Sequence, residues 1–453
     1  MNISRRYAFK SLLSLMSYIS LSKISFGNSQ ILAGKYVVVI GAGISGLVAA
    51  STLIQKGANV IILEAKNYIG GRIRTDQSLG APFEYGAGWI HGPSKDNPIR
   101  NLADSSNSSL FVTDDDSCEL FNISGNDINE KVWEEIEEIW EEIIYDKIDN
   151  NTKGSILDVI NEYDSNIWSD PNIRWVFSAY EEFNYGGPVH EISAGLINNM
   201  REFPTADVIL KDGYDKIINL LAKNLQIQTN SIVKSVNYSS TNNITVSTTS
   251  KNYECDYVIC SVPLGVLKSN SIEFNPELPK YLQDSIENVG FGTVTKLALK
   301  FKDQFWDSDV QYYYTVAKET GRWPVWMNYR TFSKEKILLG LCMGDYAKKA
   351  DLMSKEALTE DGLKVLKNVW EDDVGEVQNI LRTSWLNDPF TKGAYSFPRV
   401  DNSEKDFENL AKAIDKKLFF CGEHTDLKYL ATTHGAFFTG IRAAKEILNL
   451  NNG

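Results

Sequence analysis

At 453 residues the chain is long enough for two or three domains with sizeable cores, and 43% hydrophobic with 23% charged residues is the balance of a globular protein, not a disordered one. A formal net charge of −13 argues against a nucleic-acid partner and suits a cationic ligand. Five cysteines (Cys118, Cys255, Cys260, Cys342, Cys421) make no disulfide framework, and the four histidines show no metal-ligand spacing. Cys255 and Cys260 fall on one predicted strand about 16 Å apart, too far to pair with each other.

Residues 1–30 read as a segment outside the fold. "SRRYAFK" (Ser4 to Lys10) precedes the apolar "SLLSLMSYISLS", which is too short to span a bilayer. Paired Arg5 and Arg6 with Lys10 resemble a twin-arginine export signal, although Ala8 stands where an aromatic is usual. Ser25 and Gly27 are small enough for cleavage after Gly27. The expectation is export to a bacterial periplasm or medium; a disordered basic leader is the alternative.

Tyr36 to Ile40 is a continuous apolar, β-branched run, which predicts a buried parallel strand. Gly41, Gly43 and Gly46 then form G-x-G-x-x-G ahead of an Ala- and Leu-rich helix, and a second apolar strand from Asn59 to Leu63 ends at Glu64. The first glycine permits a tight turn, the second lets backbone approach a pyrophosphate, and the third lets helix and strand pack closely. Glu64, 23 positions after Gly41, is placed to accept from a ribose hydroxyl. The unit accommodates NAD and FAD alike.

Next come a glycine turn, "GGRIRT" from Gly70 to Thr75, and "EYGAGWIHGPSKDNPIR" from Glu84 to Arg100. Residues 101–205 turn Asn-, Asp- and Ser-rich around an acidic helix whose Val132, Ile136, Ile139, Trp140 and Ile143 share one apolar face. "LKDGYDKIINLLAKNL" is a turn and helix leading to a strand pair that alternates at Ile244 and Val246, and "CDYVICSVP" is a buried strand stopped by Pro263. A second insertion, from about 291 to 405, contains the strand "TVTKLALKF" and a Trp- and Tyr-rich middle. The chain closes with strand "KLFFCGEH" and helix "TTHGAFFTGIRAAKEIL".

The order of these pieces over residues 34–448 resembles the flavin-containing amine oxidases, and within them the polyamine oxidases. The resemblance rests on the glycine motif with its acid, "EAKNYIGGRIRT", "GAGWIHGP", "LKDGYDKI", "SIVKSV", "VGFGTVTKLALKF", "SWLNDPFTKGAYS" and "FCGEHTDLKYLATTHGAFFTGIRAA". It implies an α/β fold: a Rossmann-like FAD-binding domain from 34–93, 206–290 and 406–450, interleaved with an α+β substrate domain from 94–205 and 291–405. It also makes the dinucleotide FAD. Gly71 and Arg72 would hold the pyrophosphate and ribityl region, Val233 the adenine edge and Glu423 the ribityl region. Thr433, at the start of the last helix, would turn backbone N–H and helix dipole toward the flavin pyrimidine.

Lys296 divides the two kinds of reading. Alternation puts it on one strand face with Lys300 and Lys302, which predicts a solvated lysine. The resemblance instead implies that it holds a water beside flavin N5. His91 resembles the pocket histidine of animal-type polyamine and spermine oxidases. Trp385 and Tyr395 match the aromatics that flank the amine, and Trp89 and Glu182 are candidate substrate contacts, Glu182 for a distal ammonium. Thr432 replaces the second cage aromatic of monoamine oxidases. Ala394 replaces their flavin-bonding cysteine, which implies noncovalent FAD.

The implied reaction passes hydride from an amine C–H to flavin, gives an imine that hydrolyses to aldehyde and shortened amine, and returns electrons to molecular oxygen as hydrogen peroxide. No strong base is required, since a pocket favouring neutral amine supplies the nitrogen lone pair. An L-amino-acid oxidase, which would need an arginine for the carboxylate, another monoamine oxidase and a flavin-binding protein without turnover are the rivals. Neither a nucleic-acid partner, a metal nor a stable membrane span is expected.

Overall fold

The computed structural model describes residues 30–240 and 243–452; the export motif lies outside the described residues. The strand Tyr36–Ile40 forms as its β-branched run predicts and takes the centre of a five-stranded parallel sheet. Its neighbours are Asn59–Leu63, then Ile227–Gln228, on one side, and Tyr257–Cys260, then Leu418–Phe420, on the other. Val37 pairs with Val60 and with Tyr257, so chain segments more than two hundred residues apart in sequence share one ladder.

The helix Ile44–Ile54 lies on this sheet with the closing helix Thr433–Leu450 packed along it. Both approaches need glycine: a Cβ on Gly46 would sit 2.2 Å from the Gly41 carbonyl oxygen, and one on Gly440 2.3 Å from that of Ser45. Gly41 itself turns at φ +102°, a conformation L side chains rarely adopt.

Residues 206–290 add a four-stranded sheet in which Val233–Asn237 pairs with Ile244–Thr248. Cys255 and Cys260 sit on two strands, Asn252–Cys255 and Tyr257–Cys260, contrary to the single strand expected. The break falls at Asp256, whose carboxylate accepts from Tyr36 N and the Lys35 ammonium. All five cysteines are free thiols.

The other half is a six-stranded sheet in the order Val377–Arg382, Thr295–Phe301, Ile337–Cys342, Val325–Asn328, Tyr312–Thr315, Cys118–Phe121. Helices from 130 to 197 cover it, and Ile136, Trp140 and Ile143 are buried there as their spacing predicts. Thr295–Phe301 has both faces covered, one by this helical cluster and one by Trp323, Trp326 and Leu358. A strand buried on both faces does not display alternation. Lys296 is accordingly only 5% exposed, and its solvated placement is corrected. Among the described residues no helix is long and apolar enough to cross a membrane.

Candidate active site

A cavity of about 860 Å³ runs from the parallel sheet to the six-stranded sheet. At one end the first glycine loop, Gly41 to Ile44, meets Glu64, Lys66 and Val233, the first residue of the strand Val233–Asn237. A Cβ on Gly43 would meet nothing within 4 Å, so backbone is open to the cavity there. Glu64 is buried and its two carboxylate oxygens accept from Ala42 N (2.8 Å) and Lys66 N (2.9 Å), which ties the glycine loop to the second strand. Desolvation raises its pKa.

Midway, Gly70 to Ile73 form one wall. Arg72 donates to the Ala394 carbonyl and to the Glu423 carboxylate, both at 2.8 Å, and Glu423 also accepts from the Ser396 hydroxyl. Opposite, Thr432, Thr433 and His434 bring the N-terminus of the last helix to the cavity, with the Thr432 hydroxyl accepting from Gly435 N. The Thr433 hydroxyl is bonded to the Tyr214 phenol at 2.9 Å. A helix N-terminus and a guanidinium facing one elongated cavity suit a diphosphate and an electron-rich ring.

The far end gathers Lys296, Trp385, Tyr395, Trp89 and His91. Lys296 Nζ donates to the carbonyls of Glu84 (3.0 Å) and Gly86 (2.6 Å), and burial lowers its pKa to about 8. The Trp385 indole donates to Tyr85 O at 3.0 Å, and the Tyr395 phenol to Phe183 O at 2.5 Å. Burial raises the Tyr395 pKa, so the ring stays neutral. Asp207 meets His91 Nδ1 at 2.6 Å and accepts from Gly92 N at 3.0 Å, which fixes the ring.

Glu182 does not reach this cavity. The helix Pro171–Phe177 widens into a π turn over Ser178–Glu182, and the wider turn changes which residue faces inward. Glu182 turns to the Ser178 hydroxyl (2.7 Å) and Val189 N (3.2 Å), while Glu181 lines the cavity and accepts from the Trp140 indole at 2.8 Å. Exposed Glu202, with Tyr145 and Tyr185, completes an acidic, aromatic arm.

Sequence reasoning thus named the residues at both ends of the cavity but missed Glu181, Asp207, Tyr214 and the buried Glu84. Glu84 and Tyr214 lie inside quoted motifs, where a charged or phenolic side chain beside glycines was the available signal. Asp207 had none, because its partner is far off in the chain, and Glu181 was passed over for its neighbour Glu182. His190, Glu191 and Asp345 have ligand atoms within 4.8 Å of one another outside this cavity, where Lys348 forms ion pairs with both acids.

Fold and cavity together are those of an oxidoreductase with a nucleotide-binding α/β sheet at one end of its site. The sequence profile of the flavin containing amine oxidoreductases matches residues 44–448, and the chain belongs to that family. Polyamine oxidase 2 of Arabidopsis thaliana is 30% identical over 440 residues, covering 90% of this chain and 87% of that one. Lysine-specific histone demethylase 1 homolog 1 of the same plant is 29% identical over 444 residues, which is 91% of this chain and 52% of the relative. A solved putrescine oxidase, a variant redesigned in cofactor binding, superposes with a TM-score of 0.75 at 20% identity, over 92% of this chain and 99% of that one. The protein is therefore a flavin-dependent oxidoreductase of amines.

Proposed function

We propose that the protein is a polyamine oxidase that holds FAD noncovalently and uses oxygen as acceptor. One observation carries the reading: a single cavity joins the glycine loop and Glu64 to Lys296, Trp385 and Tyr395, and then continues to Glu181 and Glu202. That is the length and polarity a dinucleotide followed by an extended cation would fill. The chain's own residues fit the cofactor, with open backbone at Gly43 and Arg72, Glu423 and the Thr433 helix end along its path.

FAD held there would supply the hydride acceptor for the amine's α-carbon, with oxygen as the final electron acceptor. The protein's part is placement and charge. Trp385 and Tyr395 supply aromatic walls for the reacting nitrogen and exclude water, which favours the neutral amine whose lone pair is needed. Lys296, held by two carbonyls, keeps a proton donor at the reacting end, and His91, its ring fixed by Asp207, stands on the same wall. Glu181 and Glu202 attract a distal ammonium and so favour a chain with two or more amines. The imine then hydrolyses to an aldehyde and a shortened amine. An amino-acid substrate fits less well at the flavin end, where Arg72 is bound to Glu423; the other arginine on the cavity wall, Arg201, stands beside Glu202 in the far arm.

Anaerobic mixing with polyamines, monoamines and amino acids, while watching the flavin absorbance, tests this. Polyamines should bleach it fastest; bleaching by amino acids alone overturns the reading. Export through a twin-arginine route is part of the proposal and rests on Arg5 and Arg6. Arg5→Lys with Arg6→Lys should trap the folded protein in the cytoplasm, and unchanged export in a strain lacking the translocase would refute it.

A further inference from the structure

Lys296 is fixed by neutral partners, the carbonyls of Glu84 and Gly86 and the face of Trp89 at 5.6 Å. None of them carries a full opposite charge. The charged group that acts on it is the carboxylate of Glu84, which is itself buried. Gly88 leaves the two side chains facing each other: a Cβ there would lie 3.7 Å from Glu84 Cγ and 3.9 Å from Lys296 Nζ.

The same carboxylate is a junction between walls of the cavity. It accepts from the Thr75 hydroxyl at 2.8 and 3.0 Å, just beyond the Gly70–Ile73 wall, and from Tyr214 N at 2.9 Å. Tyr214 in turn reaches the Thr433 hydroxyl at the start of the last helix. Glu84 therefore registers the glycine turn, the final helix and Lys296 against one another, through two side-chain oxygens and one backbone oxygen.

We infer that Glu84 is the positioning residue of this site: its carboxylate is the counter-charge that keeps Lys296 an ammonium, and its carbonyl aims that ammonium into the cavity. The placement of the two side chains around Gly88 and one small hollow is geometric, while its use in catalysis rests on the amine-oxidase reading. Desolvation pushes Glu84 up to about 7 and Lys296 down to about 8, and each charge draws the other back toward its ordinary range. Asp215 opposes ionisation of Glu84, and the phenols of Tyr214 and Tyr329 also face it. A hollow of about 20 Å³ bounded by Glu84, Lys296, Trp89 and Tyr329 has room for one water between these groups.

The test uses the flavin-loaded protein with Glu84→Gln, Lys296→Met and the double variant. Two profiles are read across pH 5 to 10, the thermal midpoint and the rate of flavin reduction by the best amine. Glu84→Gln should move the Lys296 limb of both profiles down by about one pH unit or more. Lys296→Met should move the Glu84 limb of the thermal profile up by a matching amount, because coupling is reciprocal. Glu84→Asp, which keeps the charge, should return the Lys296 limb toward the parent's. A folded Glu84→Gln whose Lys296 limb coincides with the parent's overturns the inference. Should Glu84→Gln not fold, Thr75→Val removes one donor to the carboxylate. It must then raise the Glu84 limb and lower the Lys296 limb, and unmoved limbs overturn the pairing. A parent flavin that no amine reduces defeats the amine-oxidase reading instead, and the thermal limbs still decide the pair.

Discussion

Arg72 and Glu423 meet at 2.8 Å, although they are 351 positions apart, and so join the turn after the first βαβ unit to the loop after the last strand. Glu423 is buried and Arg72 is largely so, which makes the pair unlike a surface salt bridge. Removing one partner leaves a buried charge uncompensated. Arg72→Ala should therefore lower stability by about 3 kcal/mol and release flavin during gel filtration. Glu423→Gln keeps an acceptor for Arg72 and should do less harm. Calorimetry with and without added FAD checks both, and unchanged midpoints for Arg72→Ala would refute the linkage.

Ala394 bears on how the cofactor is held. Its carbonyl accepts from Arg72 and its methyl side chain offers no nucleophile to the flavin. Acid or heat should release intact FAD into the supernatant. Flavin that remains with the precipitated protein would show a covalent bond made elsewhere in the cavity.

Local signals explain what could be read in the sequence. The glycine loop, its helix and Glu64 lie within 24 consecutive positions from Gly41, and hydrogen bonds such as Ala42 N to Glu64 close inside that span. The start of the last helix was likewise marked by its Thr432 cap. Lys296 was not legible from periodicity, because core packs on both faces of its strand and erases the alternation. Glu181 and Glu182 could not be told apart, since a π turn and not an ideal helix decides which one faces the cavity. Asp207 finds His91 across 116 positions, and pairs of that kind leave no spacing to read.

Glu181 and Glu182 offer a direct comparison. Glu181→Gln keeps the acceptor for the Trp140 indole but loses the charge at the end of the acidic arm. It should raise KM for a triamine or tetraamine about tenfold to a hundredfold, the loss of one charged contact, with kcat and monoamine oxidation little changed. Glu182→Gln removes a carboxyl that burial already pushes up to about 7, bonded to Ser178 and Val189 away from the cavity. It should leave KM alone. The reverse ranking of the two variants would return the distal contact to Glu182.

Lys296 and Lys300 share one face of the strand Thr295–Phe301 but have different surroundings. Lys300 donates to Leu79 O at 2.8 Å and pairs with Glu335 at 2.5 Å, whereas Lys296 turns into the cavity between two carbonyls. Lys296→Met should leave FAD bound while slowing flavin reduction, reoxidation or both by on the order of a hundredfold, the usual loss for one positioned polar group. Lys300→Met should keep the parent's rates. The folded pKa of Lys296, about 8, lies below its ordinary 10.5. Between those values the unfolded chain binds more protons, so the stability contribution of Lys296 is complete above pH 10.5 and is lost as pH falls through 8. Lys296→Met should consequently remove that rise of the thermal midpoint with pH, and gain most relative to the parent below pH 8. Stopped-flow reduction with the best amine, reoxidation with oxygen and calorimetry at pH 7 and 10 measure these effects. Equal rates and parallel pH profiles for both variants and the parent would place Lys296 outside the reacting centre.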